Sequence, residues 1–337
     1  MEEAWRRWFG WSISKSHSWN QCRKRFYYHV VKKFDGDPEG VRAKQLASLS
    51  TLDMVRGSVV HSVISEQITQ AIMGRPARLD IAMRQAARLL SDGVGKNHER
   101  LVEHWNGVPV SEGDVAQARD HISISLTNFC QEVWPQRAEC RCLEQDLTKT
   151  INPKKVAVDG WNIFVNPDLI SESKSIITVT DWKTGERERD ADDLLQMSVY
   201  AMYAMNRYVK KLEDVCSEVV YLAHPKTKLI PVNRSSIETA KAKILAESKE
   251  MWECSGVDYF YPAASIRNCM LCNFATLCAE GKEIVDGFAP AASSKTLIGP
   301  SVGTSAVKGS EAVLSPPREI DPSPEPSVAD TVPKGNR

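Results

Sequence analysis

The segment Ile176-Ile177-Thr178-Val179-Thr180-Asp181-Trp182-Lys183-Thr184-Gly185, with Pro167-Asp168 upstream, is the starting point. Its β-branched residues favour a strand. A period of two places Ile177, Val179, Asp181 and Lys183 on one face. Two apolar residues give way to an acid and a base at the strand end, where Thr184-Gly185 breaks the pattern. Asp168 stands thirteen residues before Asp181, near the end of the preceding strand. Antiparallel pairing of those strands could bring the two carboxylates together. Carboxylates at close range repel unless a cation holds them, and a hard divalent ion such as Mg²⁺ suits oxygen ligands. Lys183 beside such an ion could position a water and neutralise charge on a phosphate. The residues alone leave open an ordinary solvated ion pair. Gln196 and Tyr200, four apart, share a face of the next helix, and an ordinary amphipathic helix would show the same spacing.

Outward from this strand, Lys155–Val158, Asp159-Gly160 and Trp161–Ile170 read as strand, two-residue turn and strand. Ser171–Ser175 reads as a second turn. Asp192–Lys210 is helical, Glu218–Ala223 is a strand, and Ser235-Ser236-Ile237-Glu238 opens a further helix with a capping-box pattern. Upstream, Gly57–Gly74 and residues 79–105 and 114–134 carry helical spacing. The order of elements is α/β, with a mixed central sheet flanked by helices and a helical N-terminal part. One domain is expected over residues 1–287: helices to about 135, a core over about 140–253, and a cysteine region over 254–287. Phe288 to Arg337 holds 8 of the 17 prolines and no further aromatic, so residues 288–337 are expected to be a disordered tail.

The 337 residues carry 43 Lys and Arg against 43 Asp and Glu, and 42 % are apolar. That composition excludes a collagen, a fully disordered chain and a disulfide miniprotein. No apolar run approaches the ~20 residues that span a bilayer. Met1–Trp11 lacks the pattern of a secretory signal, so a cytoplasmic location is expected. Residues 1–60 nevertheless hold eleven Lys and Arg against six acids, a net +5, interleaved with aromatics. Such a surface can track phosphates and stack bases; the alternative is a helical core with a solvated charged face. Gly93-Val94-Gly95-Lys96-Asn97 is not a phosphate-binding loop, because Leu90 stands where the first Gly belongs and Asn97 replaces Ser or Thr.

Three of the nine cysteines form Cys269-x2-Cys272-x5-Cys278. Zinc and iron–sulfur clusters usually take four ligands. Cys22 and Cys254, then Cys130, Cys140, Cys142 and Cys216, are candidates for the fourth, and local spacing does not choose among them.

Pro167-Asp168, Asp181-Trp182-Lys183-Thr184-Gly185 and Gln196-Met197-Ser198-Val199-Tyr200 together resemble the PD-(D/E)XK nuclease superfamily, in its RecB-type branch. Arg56-Gly57-Ser58-Val59-Val60-His61 resembles that branch's R-G-x-x-x-H helix. Ser14-Lys15-Ser16 with Cys22-Arg23-Lys24-Arg25-Phe26-Tyr27 resembles its N-terminal stretch. Arg23 stands in place of the usual Pro, and Asn166 where many relatives carry Gly.

The resemblance implies Asp168, Asp181 and His61 as ligands of Mg²⁺ or Mn²⁺, Lys183 as catalytic lysine, and Gln196 and Tyr200 as support for the site. It implies Cys22, Cys269, Cys272 and Cys278 as ligands of a [4Fe–4S] cluster, as in the CRISPR-associated exonucleases and the AddB nuclease subunit. Zn²⁺ at the same site, or buried unligated thiols, are the alternatives. Glu144 holds the approximate place of a family Glu, although an exposed strand Glu is the preferred reading there. The implied function is an end-processing DNA exonuclease in repair, CRISPR or phage defence. It would act on single-stranded DNA or DNA ends, within a larger nucleoprotein complex and without a membrane. The alternative is a non-catalytic nucleic-acid-binding subunit.

Overall fold

Asp159 and Gly160 both adopt left-handed backbone, with φ of 43° and 87°. They close the two-residue hairpin that the Asp-Gly pair demands, between β2 (Lys154–Val158) and β3 (Trp161–Val165). A computed structural model of the chain describes residues 5–6, 9–145, 154–185, 190–254 and 259–288. Residues 1–291 form one compact unit. The expected tail beyond Phe288 lies outside the described residues.

A five-stranded mixed sheet forms the centre. β1 (Arg141–Gln145), β4 (Leu169–Ser173), β5 (Ile176–Lys183), β6 (Val215–Tyr221) and β7 (Lys226–Leu229) lie side by side in that order. Only β5 and β6 run parallel. A parallel pair needs a crossover, and α8 (Asp190–Tyr208) supplies it. Before the sheet come α1 (Ile13–Gln21), α2 (Arg23–Phe26), α3 (Pro38–Leu46), α4 (Leu52–Ile72), α5 (Leu79–Val94), α6 (Val102–Trp105) and α7 (Glu112–Asn128). After it come α9 (Arg234–Glu253), α10 (Ile266–Cys269) and α11 (Ala279–Phe288).

The strand alternation divides the core in two. Ile170, Ile177, Val179 and Val219 join a cluster with Met197, Ile244 and the N-terminal aromatics. Leu169, Trp182 and Val220 join a second cluster with Val60, Ile64, Leu90 and Leu126 of α4, α5 and α7. The sheet is therefore buried on both faces, and β5 at its centre opens on a continuous β-branched run, Ile176–Thr180.

Several expected boundaries shift. The expected strand Trp161–Ile170 is two strands, because the chain turns through Asn166–Asp168 and enters a different sheet. Ser171–Ser173 belongs to β4, and the turn contracts to Lys174-Ser175, both at positive φ. The expected helix 79–105 breaks at Gly95, whose φ of 75° ends α5. The cap of α9 is Asn233, whose side chain accepts from Ser236 N, so the capping box begins two residues before Ser235. β1 and β7 are additional strands, polar in sequence and at the sheet edges.

The N-terminal segment is bound into the core through polar contacts as well as apolar ones. Trp11 pairs with β3, donating from its backbone N to Asn162 O at 2.9 Å and accepting from Phe164 N at 2.7 Å. Gly10 permits this approach, since a Cβ there would lie 2.7 Å from the Phe164 ring and 2.8 Å from Asn162 O. The carboxylate of Glu247 on α9 then collects donors that include Trp11 Nε1 at 2.8 Å, Asn20 Nδ2 at 2.7 Å and Lys243 Nζ at 2.5 Å. Burial pushes the Glu247 pKa upward, but these hydrogen bonds outweigh it and hold the group below its ordinary value.

Glu247→Gln should therefore destabilise the protein at pH 7 by roughly 1–3 kcal/mol. A carboxyl depressed in the folded state stabilises above its unfolded pKa, about 4.3. That contribution is lost as the pH falls through the folded value. Urea denaturation should show the gap between wild type and variant closing on acidification below pH ~4.3. A gap independent of pH would mean that the charge on Glu247 is not what holds the segment.

Candidate active site and cysteine cavity

The β4–β5 register pairs Leu169 with Thr180, so Asp168 and Asp181 stand opposite each other at the next position. Both are buried. Asp168 Oδ2 accepts from the backbone N of Trp182 at 2.7 Å, and its Oδ1 is hydrogen-bonded to His61 Nδ1 of α4 at 2.8 Å. Asp181 Oδ1 accepts from Gln196 Nε2 of α8 at 2.9 Å. Asp168 thus takes a side-chain partner from α4, and Asp181 from α8.

Lys183 Nζ lies 2.7 Å from Asp181 Oδ2 and donates to Gln196 Oε1 at 2.8 Å. The Lys183 contact with Oδ2 is an ion pair off the hydrogen-bond axis. The buried Oδ2 therefore has no aligned donor among the described residues. Gln196 Nε2 also donates to Tyr200 OH at 3.0 Å, and Tyr200 OH donates to Asn166 O at 3.0 Å. Gln196 and Tyr200 share a face of α8, as their spacing requires.

Electrostatics mark the pair. Burial, and then the charge of Asp168, raise the Asp181 pKa to about 6 against the pull of Lys183. Tyr200 is raised well above its ordinary value by burial and then by Asp181 and Asp168. Two buried oxygen acids, a nearby imidazole and an oxygen lacking a donor are a donor set that fits a hard divalent cation. The side chains are engaged with one another, and among the described residues no group of three or more His, Cys, Asp or Glu is arranged to hold a metal ion.

Two contributors have little sequence signal. Tyr221 OH, at the end of β6, donates to the buried Asp193 Oδ2 at 2.7 Å and fixes the first turn of α8 against the sheet. The Asn166 carbonyl anchors Tyr200. Glu144 differs from the exposed strand Glu preferred from sequence. It is half-buried, accepts from Tyr203 OH at 2.9 Å and Tyr208 OH at 2.7 Å, and pairs with Lys154 and Arg207. It shares none of these partners with Asp168 or Asp181.

Cys22, Cys269, Cys272 and Cys278 line one small cavity, with Lys24, Arg25, Tyr28 and Phe274. Cys254, which ends α9, is buried in the core and does not line the cavity. The four thiols do not close into a metal-holding group. Cys278 Sγ is instead hydrogen-bonded to Glu280 at 3.2 Å. Burial raises the Cys272 thiol, and the neighbouring Cys22 and Cys269 push it the same way. Burial raises Cys278 to about 11. The walls are pinned across the chain. Asn106 Nδ2 donates to Met270 O and Cys272 O at 3.0 Å, and Asn273 Nδ2 donates to Leu46 O and Leu49 O at 2.9 and 2.8 Å.

The family model of the PD-(D/E)XK nuclease superfamily matches residues 10–279. A search of curated proteins finds no match. No helix among the described residues is long and apolar enough to cross a membrane.

The like-charge pair makes a prediction that needs no turnover. An acid whose folded pKa is raised lowers stability once the pH passes its unfolded value, and the full penalty is present above the folded one. Asp181→Asn should therefore stabilise the metal-free protein by roughly 1–3 kcal/mol at pH 7.5, and the gain should vanish near pH 4. Mn²⁺ should raise the melting temperature of wild type and leave that of Asp181→Asn unchanged. An equal Mn²⁺ response in both would separate Asp181 from metal binding.

Proposed function

The chain belongs to the PD-(D/E)XK nuclease superfamily, and from that membership we propose a metal-dependent DNA nuclease that processes ends and carries a [4Fe–4S] cluster. The observation that carries the reading is Asp168 and Asp181 opposed across β4–β5, with Lys183 and Gln196 in one connected group. The hydrogen bond of His61 to Asp168 supports the exonuclease form, since that helix resembles the one in exonuclease-type members.

Asp168, Asp181 and His61 would hold Mg²⁺ or Mn²⁺. The bound ion would supply Lewis acidity toward a phosphate oxygen and offset the charge that builds in the transition state. Asp181 keeps Lys183 in place, and Gln196 spans the two, so the ammonium is held at the strand end. There it can orient a water toward phosphorus and place positive charge beside a non-bridging oxygen. In the hydrolysis, the water oxygen bonds to phosphorus, one ester P–O bond breaks, and the departing oxygen takes up a proton. Tyr200, tied to the Asn166 carbonyl, steadies Gln196 rather than touching the reacting atoms.

The clustering of Cys22 with Cys269, Cys272 and Cys278 in one cavity supports the cluster reading. Ligand bonds there would join two ends of the folded part and add folding free energy.

The deciding assay compares end-labelled linear with circular DNA, single- and double-stranded, in Mg²⁺, Mn²⁺ or EDTA. Cleavage of linear DNA that is absent on circles and in EDTA is expected. Asp181→Ala and Lys183→Ala should each reduce the rate at least about a hundredfold while keeping the circular dichroism spectrum of the folded protein. Full activity in either variant would remove the assigned site. For the cluster, Cys22→Ala should lose iron, sulfide and the broad visible absorption of anaerobically purified protein, while Cys254→Ala keeps them. The reverse pattern, or zinc in place of iron, would overturn the assignment.

A further inference from the structure

We infer that Arg25, His29 and Lys33, with Lys15 of α1 beside them, form a track for the phosphate backbone of single-stranded DNA running from the Asp168–Asp181 site. The inference rests on the nuclease reading and adds to it the path of the substrate.

Arg25, His29 and Lys33 follow one another at intervals of four along the helical stretch 23–34, where a π-helical turn, Tyr27–Val31, continues α2. That spacing lines them along one side. Lys15 joins them from the first turn of α1. Its Nζ donates to Gly10 O at 2.6 Å and lies 5.3 and 5.1 Å from the Phe9 and Phe164 ring centres. Arg25, Lys33 and Lys15 carry the charge, and with burial they keep the His29 imidazole neutral near pH 7. His29 is lowered to about 4 by burial and then by Lys33, Arg25 and Lys15, and Lys15 is lowered to about 8 by burial and then by Lys33.

Like charges gathered this way cost free energy unless an anion answers them. Among the described residues none of the four has a carboxylate within ion-pair distance. The nearby acids are committed elsewhere. Asp35, Asp37 and Glu39 all face Lys32 Nζ, at 3.1, 2.5 and 3.4 Å. Asp192 lies 3.8 Å from His17 Nε2. The uncompensated charge is therefore a feature of this face and not of the whole segment.

The position fits a strand that passes through the active site. Phe164, on which Lys15 packs, is two residues before Asn166 and four before Asp168. His17 reaches Asp192, one helical turn before Gln196 on α8. At the far end Arg25 lines the cysteine cavity. His29 is solvent-exposed, so its ring is open to a strand that follows the row. A duplex presents phosphates on a stiff, wide cylinder, whereas a flexible single strand can bend along a row that passes from α1 to the 23–34 stretch.

The test is binding of fluorescein-labelled oligothymidylates and of a matched duplex to the intact protein in EDTA, with NaCl varied. Each lost phosphate contact flattens the slope of log K against log salt by about 0.7 for a single strand. Lys33→Ala should show that change. Lys33→Glu should weaken binding at least tenfold at low salt. Lys249→Ala, an exposed lysine of α9, should bind as wild type. Lys33 is substituted rather than Lys15, because Lys15 also holds Gly10. Wild-type affinity and slope in both Lys33 variants, each with an unchanged circular dichroism spectrum, would overturn the track. A duplex that binds more tightly than the single strand, with the same loss in Lys33→Glu, would overturn its assignment to single strands. Cleavage of the same oligonucleotide by wild type in Mn²⁺ is scored separately. Absence of cleavage counts against the nuclease reading, while unchanged binding in the variants counts against the track alone.

Discussion

Two carboxylates buried side by side at the end of two antiparallel strands are unfavourable unless the surroundings are arranged for them. Much of the core geometry is organised around that placement. The β4–β5 register brings Asp168 opposite Asp181. The Trp182 amide and His61 answer one acid, and Gln196 and Lys183 answer the other. The arrangement is not fully neutralised, and the raised pKa of Asp181 records what remains. A fold selected only for stability would place an apolar pair there, so the residual repulsion points to a role that needs it.

The topology explains how the partners are delivered from opposite sides. Because β5 and β6 are parallel, the chain must cross from the end of β5 to the start of β6, and α8 makes that crossing. Its first turns therefore lie beside the strand end that carries Asp181 and Lys183. The Tyr221–Asp193 hydrogen bond ties this turn back to β6, opposite Lys183 in the register. On the other face α4 passes close to the same end, and a Cβ on its Gly57 would meet Thr184 Oγ1 at 3.5 Å. One strand end thus receives polar groups from two layers, each held by its own apolar cluster.

This much was largely legible in the sequence, because the physics involved is local. A period of two puts Asp181 and Lys183 on the face of Ile177 and Val179, and Asp-Gly fixes a hairpin. Where the sequence misled, a non-local contact overrode local chemistry. Ser171-Glu172 is polar and reads as part of a turn, yet it is paired on both sides, by β1 and by β5. β1 and β7 carry few β-branched residues and owe their strand form to the neighbours they pair with. Glu144 reads as exposed because its tyrosine and arginine partners lie on α8, some sixty residues away. The meeting of Cys22 with the C-terminal cysteines has no local signature at all, and only the family resemblance suggested it.

That meeting is achieved largely by polar groups that reach across the chain. Trp11 and Asn20 donate to Glu247, and Trp19 and Arg23 donate to Glu250, at 3.0 and 2.5 Å in the latter case. The Lys24 backbone N donates to Tyr261 O at 3.2 Å. Closing so long a loop costs entropy only logarithmically in its length, so a handful of such contacts with the aromatic core can hold it. The consequence reaches the surface. The stretch that carries Cys22 to the cavity continues directly into Arg25, His29 and Lys33. Whatever fixes Cys22 therefore also fixes the direction in which these side chains face, and the docking of Cys22 and the presentation of the basic row become one property of the same dozen or so residues.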